Sequence, residues 1–364
     1  MKDIIIKQVA KAELMQIYDD SAFWAQEALP FTRPRLACYL QNTRAELEDV
    51  LWVMAFEEGK VVGYLALVPE LINSQKGALK VAWFSSWWVH PKHRGTGLAD
   101  RLSTLAFGLY DGIAIDAGYH FALKKMKANC DFEIYQLRQR KHYFLSMNKE
   151  ILRGYQVSNP LIYLLLPLAR PLLACISKLR IRRWLNRNRQ ANLKVEYIHQ
   201  IDKDSLELIR ANADRELVFK DADYLEYRAF LPLKLSTPTF LPEKYHSYFC
   251  NVGAKAECRM VKLWEGDELA GIVNYCIVDN TLTIRYHCLL PNHEAKLIYL
   301  IAKLCSEHSV DRITTHDAVI IRQIKTQRLP YLFCKMLDMP VFLSKSLIGK
   351  VKPDMHLFDG EGAF

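Results

Sequence analysis

The run Ala82-Trp83-Phe84-Ser85-Ser86-Trp87-Trp88-Val89-His90-Pro91-Lys92-His93-Arg94-Gly95-Thr96-Gly97-Leu98 narrows the folds open to this chain more than any other stretch. Its aromatic and β-branched part suits a strand and stops at Pro91. A basic turn with two glycines follows, and Leu98, Leu102, Leu105, Ala106 and Leu109 then fall at helical spacing. The order is strand, loop, helix. Lys92, His93, Arg94, Gly95, Thr96 and Gly97 let backbone N–H groups turn toward one point without Cβ obstruction, and the helix adds its positive N-terminal end. Such a corner receives an anion, phosphate or pyrophosphate above all. The plainer alternative is a βα turn in which the glycines only make the bend.

Order and spacing bear on that choice. Arg94-Gly95-Thr96-Gly97-Leu98-Ala99 fits (Arg or Gln)-x-x-Gly-x-(Gly or Ala), and with Val89-His90-Pro91 before it the segment resembles the acetyl-CoA loop of the GNAT superfamily of N-acetyltransferases. The resemblance implies that loop amides hold the CoA pyrophosphate and that the preceding strand end bonds the pantetheine. It therefore puts Trp88, Val89, Arg94, Gly95, Thr96, Gly97, Leu98 and Ala99 around the cofactor. It also implies an Asn at the head of a later helix against the pantetheine and a Tyr on that helix protonating the CoA thiolate; Asn129 and Tyr135 match, six residues apart where seven is usual.

Around this loop, Asp3–Val9 reads as a strand, Lys11–Glu27 as a helix, residues 28–48 as a second helix after Pro34, and Leu51–Phe56 with Val61–Val68 as a hairpin. The helix after the loop runs to about Ile115, with a strand at Tyr119–Met126 behind it. The general base is the weak point, because residues 81–89 hold no carboxylate. Ser85, Ser86 and His90 are the nearest polar groups. His90 titrates in a suitable range, although a His beside Pro in a turn also occurs simply solvated. Glu27 is a further guess, and ordered water is an alternative.

From Lys194 the chain starts over. Lys194–Ile198, Asp202–Ala211, the Met260–Val273 hairpin, Leu282–Leu290, Glu294–Glu307 and Arg312–His316 repeat the first order of elements. The second loop, Asn292-His293-Glu294-Ala295-Lys296, has no glycine and carries an acid, so a pyrophosphate cradle is not expected there. The expectation is an α/β chain of two GNAT-like domains, each a mixed, mostly antiparallel sheet flanked by helices. They span 1–150 and a degenerate 194–364, with an apolar and basic helical linker over 151–193. Tyr227 and Arg228 either face a substrate or finish a helix.

Charge bears on partners. The formal net charge of +9 equals the nine Lys and Arg between Ile151 and Val195, where no Asp or Glu occurs. The remainder is neutral, which makes nucleic acid an unlikely partner. Leu161–Ile176, interrupted by Pro167, Arg170 and Pro171, is too broken for a confident transmembrane helix. With the basic run Lys178–Arg189 it reads either as a peripheral contact with anionic membrane through 160–189 or as packing between domains. Nine cysteines without a C-x-x-C read as thiols of a reducing compartment, and the His residues lack metal-ligand spacing. The N-terminus shows no apolar leader, so the expected address is the cytoplasm, with membrane association through 160–189 as an addition.

The resemblance implies an acetyl-CoA-dependent N-acetyltransferase using acetyl-CoA as co-substrate, without metal, acting on a small-molecule or cell-envelope amine. The competing class is a non-catalytic acyl-CoA sensor or membrane-docked interaction module.

Overall fold

The computed structural model describes residues 3–26, 29, 31–116, 130–154, 157–189, 193–235 and 256–358. The first half runs β1 (Ile4–Ala10), α1 (Lys11–Asp19), α2 (Ser21–Trp24), α3 (Arg33–Leu40), β2 (Val50–Glu57), β3 (Lys60–Ser74), β4 (Gly77–Val89), α4 (Leu98–Phe107), β5 (Ile113–Asp116) and β6 (Phe132–Phe144). Two helices connect the halves, α5 (Lys149–Gly154) and α6 (Pro160–Arg187). The second half comprises β7 (Leu193–Ile198), α7 (Lys203–Asn212), α8 (Ala222–Leu235), β8 (Ala256–Glu265), β9 (Glu268–Val278), β10 (Thr281–Leu289), α9 (Glu294–Glu307), β11 (Arg312–Thr315), α10 (Ala318–Thr326), β12 (Phe333–Ser344) and α11 (Lys345–Ile348).

Local chemistry explains the boundaries. Glu58 and Gly59 both take positive φ, the twist that closes a two-residue hairpin between β2 and β3. The expected helix over 11–27 ends early, because the Asp20 carboxylate accepts from the Ala22 and Phe23 amides and starts α2 instead. The helix expected to reach Ile115 stops at Phe107, and Ile113–Asp116 pairs as a strand. The strand expected at Tyr119–Met126 lies outside the described residues.

Among the described residues twelve strands form one sheet in the order β1-β2-β3-β4-β5-β12-β6-β11-β10-β9-β8-β7. The repeat expected from the sequence is visible in the pairing. β4 meets β5 in parallel at Ala82↔Ile113, and β10 meets β11 in parallel at Thr281↔Arg312. The last strand of each half, however, has crossed over. β12 pairs with β5 of the first half, β6 pairs with β11 of the second, and the two pair with each other from Phe333↔Phe144 to Ser344↔Phe132. The expected boundary at residue 150 therefore does not coincide with a boundary in the sheet.

Burial follows the same plan. One apolar cluster joins Trp52, Tyr64 and Trp83 of the first half to Val218, Tyr224, Met260, Tyr286 and Leu357 of the second. A second cluster packs α9 and the end of α6 on the far half of the sheet, and a third packs α4 on β2–β4. Burying Leu98 and Leu102 of α4 contributes about 2 kcal/mol each. Cys258 and Cys276 face each other across β8 and β9, with Cα atoms 4.2 Å apart, and are joined as a disulfide. That corrects the expectation of thiols throughout: spacing along the chain does not reveal the cross-strand register that brings these two together.

Candidate active site

The site is built where β4 ends. The His90 amide donates to Val62 O on β3 at 2.8 Å, and alternation along the strand turns the Val89 N–H to the opposite edge, toward β5. Among the described residues, pairing between β4 and β5 is confined to Ala82↔Ile113 and Trp83↔Ala114. Beyond Trp83, β4 runs on to Val89 with no further pairing to β5 among the described residues. A bulge helps it diverge, since Ser85 and Ser86 together oppose one residue of β3.

After Val89 the chain makes a 3-10 turn over Pro91–His93. The His93, Arg94 and Thr96 amides bond to carbonyls inside this turn, and the Thr96 hydroxyl donates to His93 O at 2.7 Å. Gly95 and Gly97 follow with φ of +82° and +80°, and a Cβ on either would meet nothing within 4 Å. Among the described residues no acceptor meets the amides of Gly95, Gly97, Leu98 or Ala99. These amides sit at the N-terminus of α4, where the helix dipole adds positive potential, and Arg94 lies exposed beside them. Among the described residues nothing fills the space above Gly95 and Gly97, which is of a kind that suits a pyrophosphate.

The residues expected around a cofactor divide accordingly. Gly95, Gly97, Leu98 and Ala99 offer backbone donors, and Leu98 buries its side chain to hold α4 on the sheet. The Trp88 ring is buried in the cluster on the other face, so only its backbone lies on this edge. The imidazole Nδ1 of His90 accepts from the Lys92 amide at 3.2 Å, and its ring lies edge-on to Trp88. Asn129 and Glu27 lie outside the described residues.

Tyr135 is placed differently from expectation. It belongs to strand β6 and not to a helix, because β12 recruits this segment into the centre of the sheet. Its hydroxyl donates to Lys352 O at 2.8 Å and accepts from the Met355 amide at 3.0 Å. Burial raises its pKa.

A polar group beneath the β4 bulge was only half legible in the sequence. Tyr39 Oη lies 3.1 Å from Ser85 Oγ, and Arg35 donates to Ser86 Oγ at 3.1 Å. Arg35, Tyr39 and Ser86 are all buried. The signal was the four-residue spacing of Arg35 and Tyr39 on α3, which puts both on one helix face. Further along β3, burial lifts the Glu70 carboxyl to about 7 against the pull of Arg228 and a Tyr224 hydrogen bond. Glu70 pairs with Val81, four residues short of the bulge and so about 13 Å away at 3.3 Å per residue. It stands too far off to serve the β4 edge directly. Tyr227 and Arg228 are buried on α8, and Tyr227 donates to Cys38 O at 2.9 Å, which fastens the halves together.

The equivalent corner of the second half is built otherwise. The Leu290 amide donates to Ala270 O as His90 does to Val62, but Asn292 takes the positive φ and Glu294 opens α9. His293 and Lys296 both bond Glu265, so the turn is closed by side chains. Nearby, His287 and His356 both bond one oxygen of the buried Asp317, at 3.0 and 2.9 Å, beside a cavity of about 610 Å³. Those two imidazoles and its hydrogen bonds outweigh burial and hold Asp317 well below the usual carboxylate range.

Residues 12–121 match the model of the Acetyltransferase (GNAT) family. No curated protein matches the sequence. Among solved structures, a GCN5-related N-acetyltransferase from Anabaena variabilis aligns with a TM-score of 0.50 at 12% identity, covering 94% of this chain and 72% of that one. Another from Kribbella flavida aligns at 0.51 and 11%, covering 94% and 71%. The N-myristoyltransferase of Saccharomyces cerevisiae, solved with bound myristoyl-CoA, aligns at 0.50 and 10%, covering 94% and 83%. At such identities the likeness shows the fold, which is the GNAT fold.

Proposed function

With a GNAT domain over residues 12–121 as premise, we propose that this chain is an acyl-CoA-dependent N-acyltransferase, and that the group it moves is acetyl, taken from acetyl-CoA by an amine. One observation carries the reading: among the described residues the amides of Gly95, Gly97, Leu98 and Ala99, at a helix N-terminus, meet no acceptor, and they follow a stretch of β4 that lies beyond its pairing with β5. The amides and Arg94 hold the pyrophosphate. The open edge of β4 bonds the pantetheine, and the outward N–H of Val89 meets the oxyanion that forms when the amine adds to the thioester carbonyl. As the C–N bond forms and the C–S bond breaks, the amine gives up a proton and the sulfur leaves as thiolate.

Because His90 Nδ1 accepts from Lys92, the neutral ring carries its proton on Nε2. That tautomer suits a hydrogen bond to the departing thiolate, and water takes the amine proton. Arg35, Tyr39, Ser85 and Ser86 make the polar layer beneath the strand on which a small-molecule or cell-envelope amine is oriented. Tyr135, whose hydroxyl serves Lys352 and Met355, has no part in this scheme. The second half, with its corner closed by Glu265, supports the first and does not bind a second acyl-CoA.

The engagement of Tyr135 also favours a second reading, an acyl-CoA sensor without turnover. Acetyl-CoA incubated with a panel of amines, with release of free thiol followed by a thiol reagent, distinguishes the two. Saturable, amine-dependent thiol release is expected. Calorimetric binding without thiol release for every amine supports the sensor, and loss of both overturns the assignment of the corner.

A further inference from the structure

Helix α6 runs unbroken through Pro167 and Pro171 from Pro160 to Arg187, as a helical linker whose apolar run those prolines and Arg170 interrupt. A proline inside a free helix costs about 3 kcal/mol, and here packing on one face offsets it. Leu166, Ser177, Ile181 and Trp184 are buried; Ile181 and Trp184 pack in the apolar cluster of the second half, and the Ser177 hydroxyl donates to Leu145 O. Arg170 pairs with Asp311 at 3.0 Å, and the Trp184 indole donates to Gln327 O at 2.8 Å.

The opposite face is apolar and uncovered. Leu161, Leu164, Leu165, Leu168, Leu172 and Leu179, at helical offsets of 0, 3, 4, 7, 11 and 18, fall along one stripe and are between 49% and 76% exposed. A monomeric protein rarely exposes a continuous apolar row of this length. Past Leu179 the same stripe continues as Arg182 and Arg183, flanked by Lys178, Arg180 and Arg187, all exposed. No Asp or Glu lies anywhere between Ile151 and Val195.

We propose that α6 is an interfacial helix that seats its leucine stripe in the headgroup region of an anionic bilayer, with its basic end on the lipid phosphates. The charge pattern selects this occupant, since a purely apolar partner would leave the arginines without complement. The helix is long and apolar enough to cross a membrane by length and composition, but crossing would break the Arg170–Asp311 pair and the Trp184 bond and carry Arg170 into hydrocarbon. It therefore lies in the plane of the interface. This assignment does not depend on acyl transfer.

Cosedimentation of the full chain with phosphatidylcholine vesicles, with and without phosphatidylglycerol, tests it. Binding should be about tenfold tighter with phosphatidylglycerol and should fall at high salt. Changing Leu164, Leu168 and Leu172 to Gln should lower binding about tenfold at both salt levels, with the melting temperature and acetyl-CoA affinity unchanged. Changing Arg182, Arg183 and Arg187 to Gln should remove the preference for the anionic lipid. Protein that stays in the supernatant, or that binds both vesicles equally, overturns the proposal. So does a concentration-dependent dimer abolished by the leucine variant, which would identify a second copy as the occupant.

Discussion

Gly97 and Glu70 show how single positions carry the two main features of the first half. Gly97 holds φ at +80° with open space where a Cβ would stand. A Glu there adds about 1 kcal/mol of backbone strain and puts a carboxylate beside the amides at the start of α4. Gly97→Glu should lower acetyl-CoA affinity by at least about tenfold in titration calorimetry, and unchanged affinity in the folded variant would remove the corner from the binding site. Glu70 is a test of burial. Its carboxyl titrates near 4.5 ordinarily and at about 7 here. Between those values the folded protein holds a proton that the unfolded chain has released, so stability falls as pH rises through this window and stays lower above it. The contribution is about 3 kcal/mol at 1.36 kcal/mol per pH unit. Urea unfolding at pH 5 and pH 8 should show that loss in the wild type and much less of it in Glu70→Gln; equal losses would count against burial as the cause.

Among the elements, β12 decides the architecture. Its residues Val341, Phe342 and Leu343 are buried between β5 and β6, and Lys345 N returns a hydrogen bond to Asp131 O. Leu343→Ala should destabilise the whole protein by about 2–5 kcal/mol, measured by denaturant unfolding. A chain ended at Leu332 leaves β5 and β6 with unpaired edges and should lose cooperative melting altogether. A truncated chain that melts sharply would mean that β5 and β6 find each other without it.

At the scale of the molecule, the halves share more than a strand pair. The Asn73 amide donates to Leu217 O at 2.8 Å, and the Phe219 amide to Leu71 O at 2.8 Å, so residues 217–219 of the second half run beside the end of β3. Arg44 pairs with Asp221 at 2.6 Å and lies over the Tyr224 ring, and the central cluster takes side chains from both halves. Unfolding by calorimetry should therefore appear as one transition. Two resolved transitions, with one sensitive to Leu343→Ala and the other not, would show that the halves melt separately.

The strand, glycine corner and helix at 82–107, the hairpins, and the repeat from residue 194 were legible in the residues. Each rests on local rules of alternation, helical spacing and positive φ, and those rules act within a few neighbours. The strand state of Tyr135, the Cys258–Cys276 bond, the raised pKa of Glu70 and the Arg35–Tyr39–Ser85–Ser86 group were not legible. Each depends on partners 18 to 220 residues away. The crossing of β6 and β12 is the clearest case: Phe132–Phe144 puts Ile134 beside Tyr135 and runs five polar residues from Arg138 to His142, so neither strand alternation nor helical spacing fixes its state locally. Only the free edges of β5 and β11, brought together when both halves fold, select the strand.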